Sequence, residues 1–132
     1  MNDKIQTMHI NENIEKGYGF SAAARAGDTL YIGGLVSWND QGETIGTNDA
    51  EAQANNIYAQ IKKILAAHDA SFSNVASETI YITDWAAAEP AFEVRNRYYK
   101  EDTTTYPSAA AIQVNSLINE DLLVEVQMIA HL

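Results

Sequence analysis

Glu125 is the residue of this chain best placed to do chemistry. It stands in Leu122-Leu123-Val124-Glu125-Val126-Gln127-Met128-Ile129-Ala130, where Val124, Val126 and Met128 alternate with Glu125 and Gln127. A period of two belongs to a strand with one packed face and one polar-lined face. A carboxylate in the middle of such a run either faces solvent, or pairs across a subunit seam, or belongs to a site. In a site it can take a proton from water or orient it. The other chemistry-bearing residues form no set. His9, His68 and His131 show no ligand spacing, so no metal site is expected. There is no cysteine, hence no disulfide and no thiol nucleophile. No Ser-His-Asp combination, phosphate loop or dinucleotide fingerprint is present.

The bulk properties narrow the partners. Eight Lys and Arg against eighteen Asp and Glu give a net charge of −10 over 132 residues. That leaves little from which to build a basic patch, so nucleic acid and anionic membrane are not expected as partners. Hydrophobic residues at 46% suit a globular chain, and its length suits one domain spanning 1–132. No apolar run approaches the roughly 20 residues of a membrane span. Met1-Asn2-Asp3-Lys4 lacks the basic and then apolar regions of a signal peptide. A cytoplasmic location is the expectation.

The elements that must position Glu125 follow from pattern. A short strand is expected around Ile5 to Ile10, then two extended runs, Gly19–Ala26 and Asp28–Gly34, joined at Gly27-Asp28. Trp38–Gly46 is rich in Gly, Asn and Asp and reads as loop. Thr47-Asn48-Asp49 can cap a helix in which Ala54, Ile57, Tyr58, Ile61, Ile64 and Leu65 form one apolar stripe to about His68. Val75–Thr83 is a strand. A second helix is expected from Glu89-Pro90, where Pro suits a first turn, to about Lys100. Tyr106–Val114 and Leu122–Ala130 are the final strands. This order predicts an α+β fold, a mixed sheet with two helices on one face. The other face needs a cover, and oligomerisation is the expected one. Tyr98 and Tyr99 read as packing residues. Trp38 either rims a cleft or packs on its own domain, the commoner case for a loop Trp.

Several residues, in order and at matching spacing, resemble one family. They are Gly27-Asp28 entering a strand that ends in Gly33-Gly34, Gln53 early in the first helix, and Thr79-Ile80-Tyr81-Ile82-Thr83-Asp84. The Tyr106-Pro107 entry, Val124-Glu125-Val126 and Ile129-Ala130 complete the set. Over residues 17–131 the chain resembles the Rid family of reactive-intermediate deaminases, also called RidA or YjgF and formerly endoribonuclease L-PSP. The resemblance implies a chorismate-mutase-like fold. It implies a homotrimer whose sheets close a central barrel, and clefts between subunits that take small molecules. It implies hydrolysis of enamines and imines, such as 2-aminoacrylate, to a keto acid and ammonia, with no metal or organic cofactor.

Position by position, the resemblance assigns the family's water-activating Glu to Glu125 and its early-strand Gly to Gly34. The family's Tyr falls on Phe20, which keeps the ring and loses the hydroxyl. Its carboxylate-binding Arg falls on Ala109, with Ala111 at another pocket-lining position and Gln113 beyond it. The Asn-x-x-Tyr of the second helix falls on Phe92 and Arg95, or on Asn96 and Tyr99 with a shift of about one turn. The implied cleft is apolar, with Ala109, Ala111 and Gln113 opposite Glu125 and Gln127 and no cation. Arg25, Arg95 and Arg97 are the candidates to replace it, although an Arg at a strand end or on a helix face is ordinarily solvated. Two kinds of function follow: a deaminase acting on imines or enamines other than small 2-imino acids, or a ligand-binding or sensor trimer without catalysis. A ribonuclease would need basic residues that the charge balance does not supply.

Overall fold

The computed structural model describes residues 4–132, so the reading of Met1–Asp3 lies outside it. Six strands form one sheet in the order β1-β2-β3-β6-β4-β5. These are β1 (Ile5–Met8), β2 (Ala23–Ala26), β3 (Thr29–Val36), β4 (Val75–Ile82), β5 (Ser108–Gln113) and β6 (Val124–His131). All neighbours are antiparallel except β4 and β5, which run parallel. A parallel pair needs a crossover, and helix α3 (Trp85–Asp102) supplies it. Helices α2 (Ala50–Ala67) and α3 pack together over one sheet face.

Alternation decides what lies under those helices. Leu30, Ile32, Ile80, Ile82, Val124, Val126, Met128 and Ala130 are all buried. They meet Ile57, Tyr58, Ile61, Ile64 and Leu65 of α2 and Ala88, Ala91 and Val94 of α3. Among the described residues, neither α2 nor α3 lies on the opposite sheet face. Tyr31, Ile112 and Ile129 are exposed there, 50%, 43% and 37% respectively. Those values describe a face still in need of a cover.

Two boundaries depart from the sequence reading. A short helix, α1 (Glu12–Tyr18), occupies what reads as polar chain. The second long helix begins at Trp85, so Pro90 lies inside it. The helix is started by Asp84, whose side chain accepts from the Ala86 amide at 2.8 Å. Pro90 removes one helical bond without ending the helix.

Candidate functional site

The C-terminal strand brings Glu125 to the uncovered face, beside β3. Register pairs Val36 with Glu125, and the ladder is interrupted between Ile32 and Leu35, where Gly33-Gly34 lies. The reason for glycine there is contact. A Cβ on Gly34 would overlap Oε2 of Glu125, and Gly33 adopts φ +100 against the Val126 carbonyl. The carboxylate thus lies directly on the backbone of β3. Around it is a cavity of about 220 Å³ lined by Phe20, Gly33, Gly34, Val36, Trp38 and Ile118. Among the described residues, no hydrogen bond or ion pair holds the carboxylate. Burial pushes its pKa above the ordinary Glu value.

The walls of this cavity are fixed by polar contacts. Glu15, itself buried, accepts from the amides of Ile10 (3.2 Å) and Asn11 (2.9 Å) and pairs with His9 Nδ1 at 2.7 Å. Its own carbonyl accepts from the Phe20 amide at 3.0 Å, past Gly19 at φ +90. Asn13 binds Asp40 through its amide (2.8 Å) and its side chain (2.7 Å), tying α1 to the loop after β3. Tyr18 stacks on Trp38 with ring centroids 6.0 Å apart. Trp38 packs within the chain and also lines the cavity. On the other side, Gln53 is fully buried at the start of α2. Its Nε2 donates to the carbonyls of Gly46 (3.0 Å) and Asp121 (2.9 Å), and its Oε1 accepts from the Leu123 amide at 2.8 Å. That clamp holds Leu123, the residue before β6 begins and two before Glu125.

Ala109, Ala111 and Gln113 lie elsewhere. Their β4 partners are Glu78, Ile80 and Ile82, the buried set beneath the helices. Glu125 pairs with Tyr81 and Gln127 with Thr79, on the other face. Within one chain the expected wall and the expected base therefore sit on opposite sides of the sheet and do not meet. Ala109 and Ala111 instead line a second cavity, about 250 Å³, with Ile80, Phe92, Arg95 and Asn96. Gln113 is directed to the Thr83 carbonyl at 3.4 Å.

That second cavity corrects the reading of Arg95 as a solvated helix residue. Its side chain is 12% exposed and pairs with Glu78 at 2.7 Å. Phe92, Arg95 and Asn96 all line this cavity with Ala109 and Ala111, while Tyr99 is wholly buried. Arg97, in contrast, is exposed, and Arg25 turns its Nε to the Gly27 carbonyl. Sequence reasoning missed Glu78, Val36, Ile118 and Tyr18. A signal for Glu78 existed: it falls in phase with Ile80 and Ile82 on the packed face of β4.

Known proteins share this architecture. The family described as Endoribonuclease L-PSP matches residues 11–132. The chain is 28% identical over 109 residues to the 3-aminoacrylate deaminase RutC of Acinetobacter baylyi, covering 83% of each chain. It is 31% identical over 123 residues to a RutC family protein of Pyrococcus horikoshii, covering 92% of this chain and 94% of that one. The crystal structure of RidA from an Antarctic Psychrobacter superposes with a TM-score of 0.80 at 26% identity, over 96% of this chain and 99% of that one.

Proposed function

Since this chain belongs to the Rid family, the endoribonuclease L-PSP family of the matched description, we propose that it is a cofactor-independent deaminase of small imines or enamines. One observation carries the reading. A lone carboxylate lies against a glycine backbone in an apolar-walled cavity, with its pKa raised by burial. A carboxylate so placed is a stronger base than one in water. Glu125 takes a proton from water as the oxygen attacks the C=N carbon, and the nitrogen is protonated. That proton is the one Glu125 took from water; Glu125 then carries the hydroxyl proton of the resulting carbinolamine to the amine, the C–N bond breaks, and a carbonyl compound and ammonia leave.

The site works as a cleft between subunits. Glu125, Phe20 and Gly34 come from one chain, and Ala109, Ala111 and Gln113 from the edge strand of the next. A homotrimer that closes the bare sheet face brings the two half-sites together. The RutC relative named for 3-aminoacrylate supports the chemistry, and the TM-score of the RidA structure supports the scaffold. The substrate differs from a small 2-imino acid. Ala109 offers its carboxylate nothing, and Glu125 meets it with like charge. The second reading, a binding or sensor trimer, rests on that alanine and on Phe20, which lacks a hydroxyl. The ribonuclease reading is disfavoured by the net charge of −10.

The test generates imines in situ with an amino-acid oxidase and follows their loss in competition with semicarbazide. Acceleration by wild-type protein that disappears in Glu125→Gln is expected. No acceleration for any neutral or cationic imine leaves the binding trimer. Light scattering on a sizing column should give three chains per particle, and a monomer at micromolar concentration removes the intersubunit cleft.

A further inference from the structure

Beneath α3 a cation is built into the protein. Arg95 donates from Nε to Glu78 Oε1 at 2.7 Å and from Nη1 to Asn96 Oδ1 at 2.9 Å. Its guanidinium carbon lies 4.7 Å from the ring centre of Tyr99 and 5.7 Å from that of Tyr106. Glu78, with no side-chain exposure, also accepts from the hydroxyls of Tyr58 and Tyr99, the latter at 2.9 Å. Burial, and then the charge of Glu78, push both phenols above their ordinary pKa, so both stay donors. Burial opposes the charge on Arg95, but Glu78 outweighs it and raises its pKa. The ion pair is thus fixed from behind by two phenols, with aromatic rings against the guanidinium.

One edge of the guanidinium remains. Nη2 and the second Nη1 proton have no acceptor among the described residues. Yet no buried side-chain polar atom among them lacks a partner, so this edge reaches open space. The space it lines is the 250 Å³ cavity, whose other walls are Ile80, Phe92, Ala109 and Ala111. Asn96 also lines it, with its oxygen turned to Arg95 and its amide protons available to donate. The polar side chains of this pocket offer donors, and its remaining side chains are apolar.

Charge decides which acceptor fits. Glu78 already neutralises Arg95 at contact distance. A ligand carboxylate would leave an excess negative charge in a half-closed apolar site, in a protein whose net charge is −10. An uncharged carbonyl oxygen takes the same N–H groups and leaves the site balanced. We infer that the pocket between β5 and α3 binds an uncharged carbonyl oxygen, with Arg95 as its reader, and that Glu78 makes it discriminate against carboxylates. The inference rests on the deaminase reading for taking the ligand to be an imine, since Ala109 and Ala111 also belong to the intersubunit cleft proposed above. It makes the substrate an imine or enamine that carries an amide, ester or ketone.

Pyruvamide and pyruvate, the keto analogues of the neutral and the anionic imine, test it. Each is titrated against the full protein while the side-chain NMR signals of Arg95 and Asn96 are followed. Wild type should bind pyruvamide at least roughly tenfold more tightly, about 1.4 kcal/mol. Glu78→Gln keeps an acceptor for Arg95 and uncovers its charge, and should move the preference at least roughly tenfold toward pyruvate. The double variant Glu78→Gln/Arg95→Gln, which buries no unpaired charge, should lose pyruvamide binding. Equal binding, a preference for pyruvate, or no pyruvamide shift in wild type overturns the inference, as does a preference unchanged in Glu78→Gln. Wild-type turnover separates the two readings: amide preference in a wild type that turns over no imine defeats the deaminase alone, and wild-type turnover that is lost in Glu125→Gln, without that preference in wild type, defeats the pocket alone.

Discussion

Glu125 and Arg95 stand in cavities of similar size, about 220 and 250 Å³, each with largely apolar walls. Their treatment is opposite. Among the described residues Glu125 has no counter-charge and no donor, and burial raises its pKa. Arg95 is held by Glu78, Asn96 and two aromatic rings, and Glu78 in turn by two phenols. The first arrangement keeps a group reactive by leaving it unsatisfied. The second removes net charge and leaves only oriented donors. A fold can therefore carry a base and a binding contact on the two faces of one sheet, and the pairing of each group says which role it has.

The contrast predicts different failures. Glu125→Gln should lower imine turnover by about two to four orders of magnitude with the fold intact, read from circular dichroism and the competition assay. Retained turnover removes Glu125 from the chemistry. Glu78→Ala should act on stability instead, since it leaves a buried guanidinium and two buried phenols without their acceptor. A loss of about 3–5 kcal/mol in urea unfolding is expected, and a loss below about 1 kcal/mol would make the network peripheral. Gly34→Ala should sit between them. The new methyl displaces the flexible end of Glu125, so turnover should fall roughly tenfold or more while stability moves little. Equal activity would mean that the contact with Gly34 does not orient the base.

The smallest effect is in pH. Because burial raises the pKa of Glu125 in the folded chain, folding favours its protonated form. Its contribution to stability is present below the ordinary Glu value of about 4.3 and is lost as pH rises through the raised folded value. Glu125→Gln should therefore match wild type in acid and be the more stable protein near neutrality. The gap should stay under about 1 kcal/mol, because the group is only partly buried. Melts at equal protein concentration at both pH values check this, and a gap that shrinks with rising pH reverses the sign.

What was legible in the sequence followed the strength of local pattern. The stripe from Ala54 to Leu65 gave α2, and the alternation around Glu125 gave β6 and its two faces. Helix α1 was not legible. It has seven residues, and Glu15 is buried to bind backbone rather than to fit a stripe. Pro90 drew the expected start of α3 to Glu89, four positions too far along, although Asp84 was present as a cap. The opposition of Ala109 and Glu125 across the sheet depends on how β5 and β6 each pair with β4, which neither strand's own pattern specifies. Arg95 was read as solvated because its partner Glu78 lies 17 positions away, on a strand that only packing brings near.

The clamp at Gln53 has a consequence for motion. The Leu123 amide is held by a side chain of α2 and not by the β-ladder beside it. Its hydrogen-exchange protection should therefore follow the opening of the first turn of α2, while the amides from Val124 onward follow the sheet. Fraying at one helix end would then free the entry to β6, and with it the backbone from which the base is hung, while the core beneath stays closed.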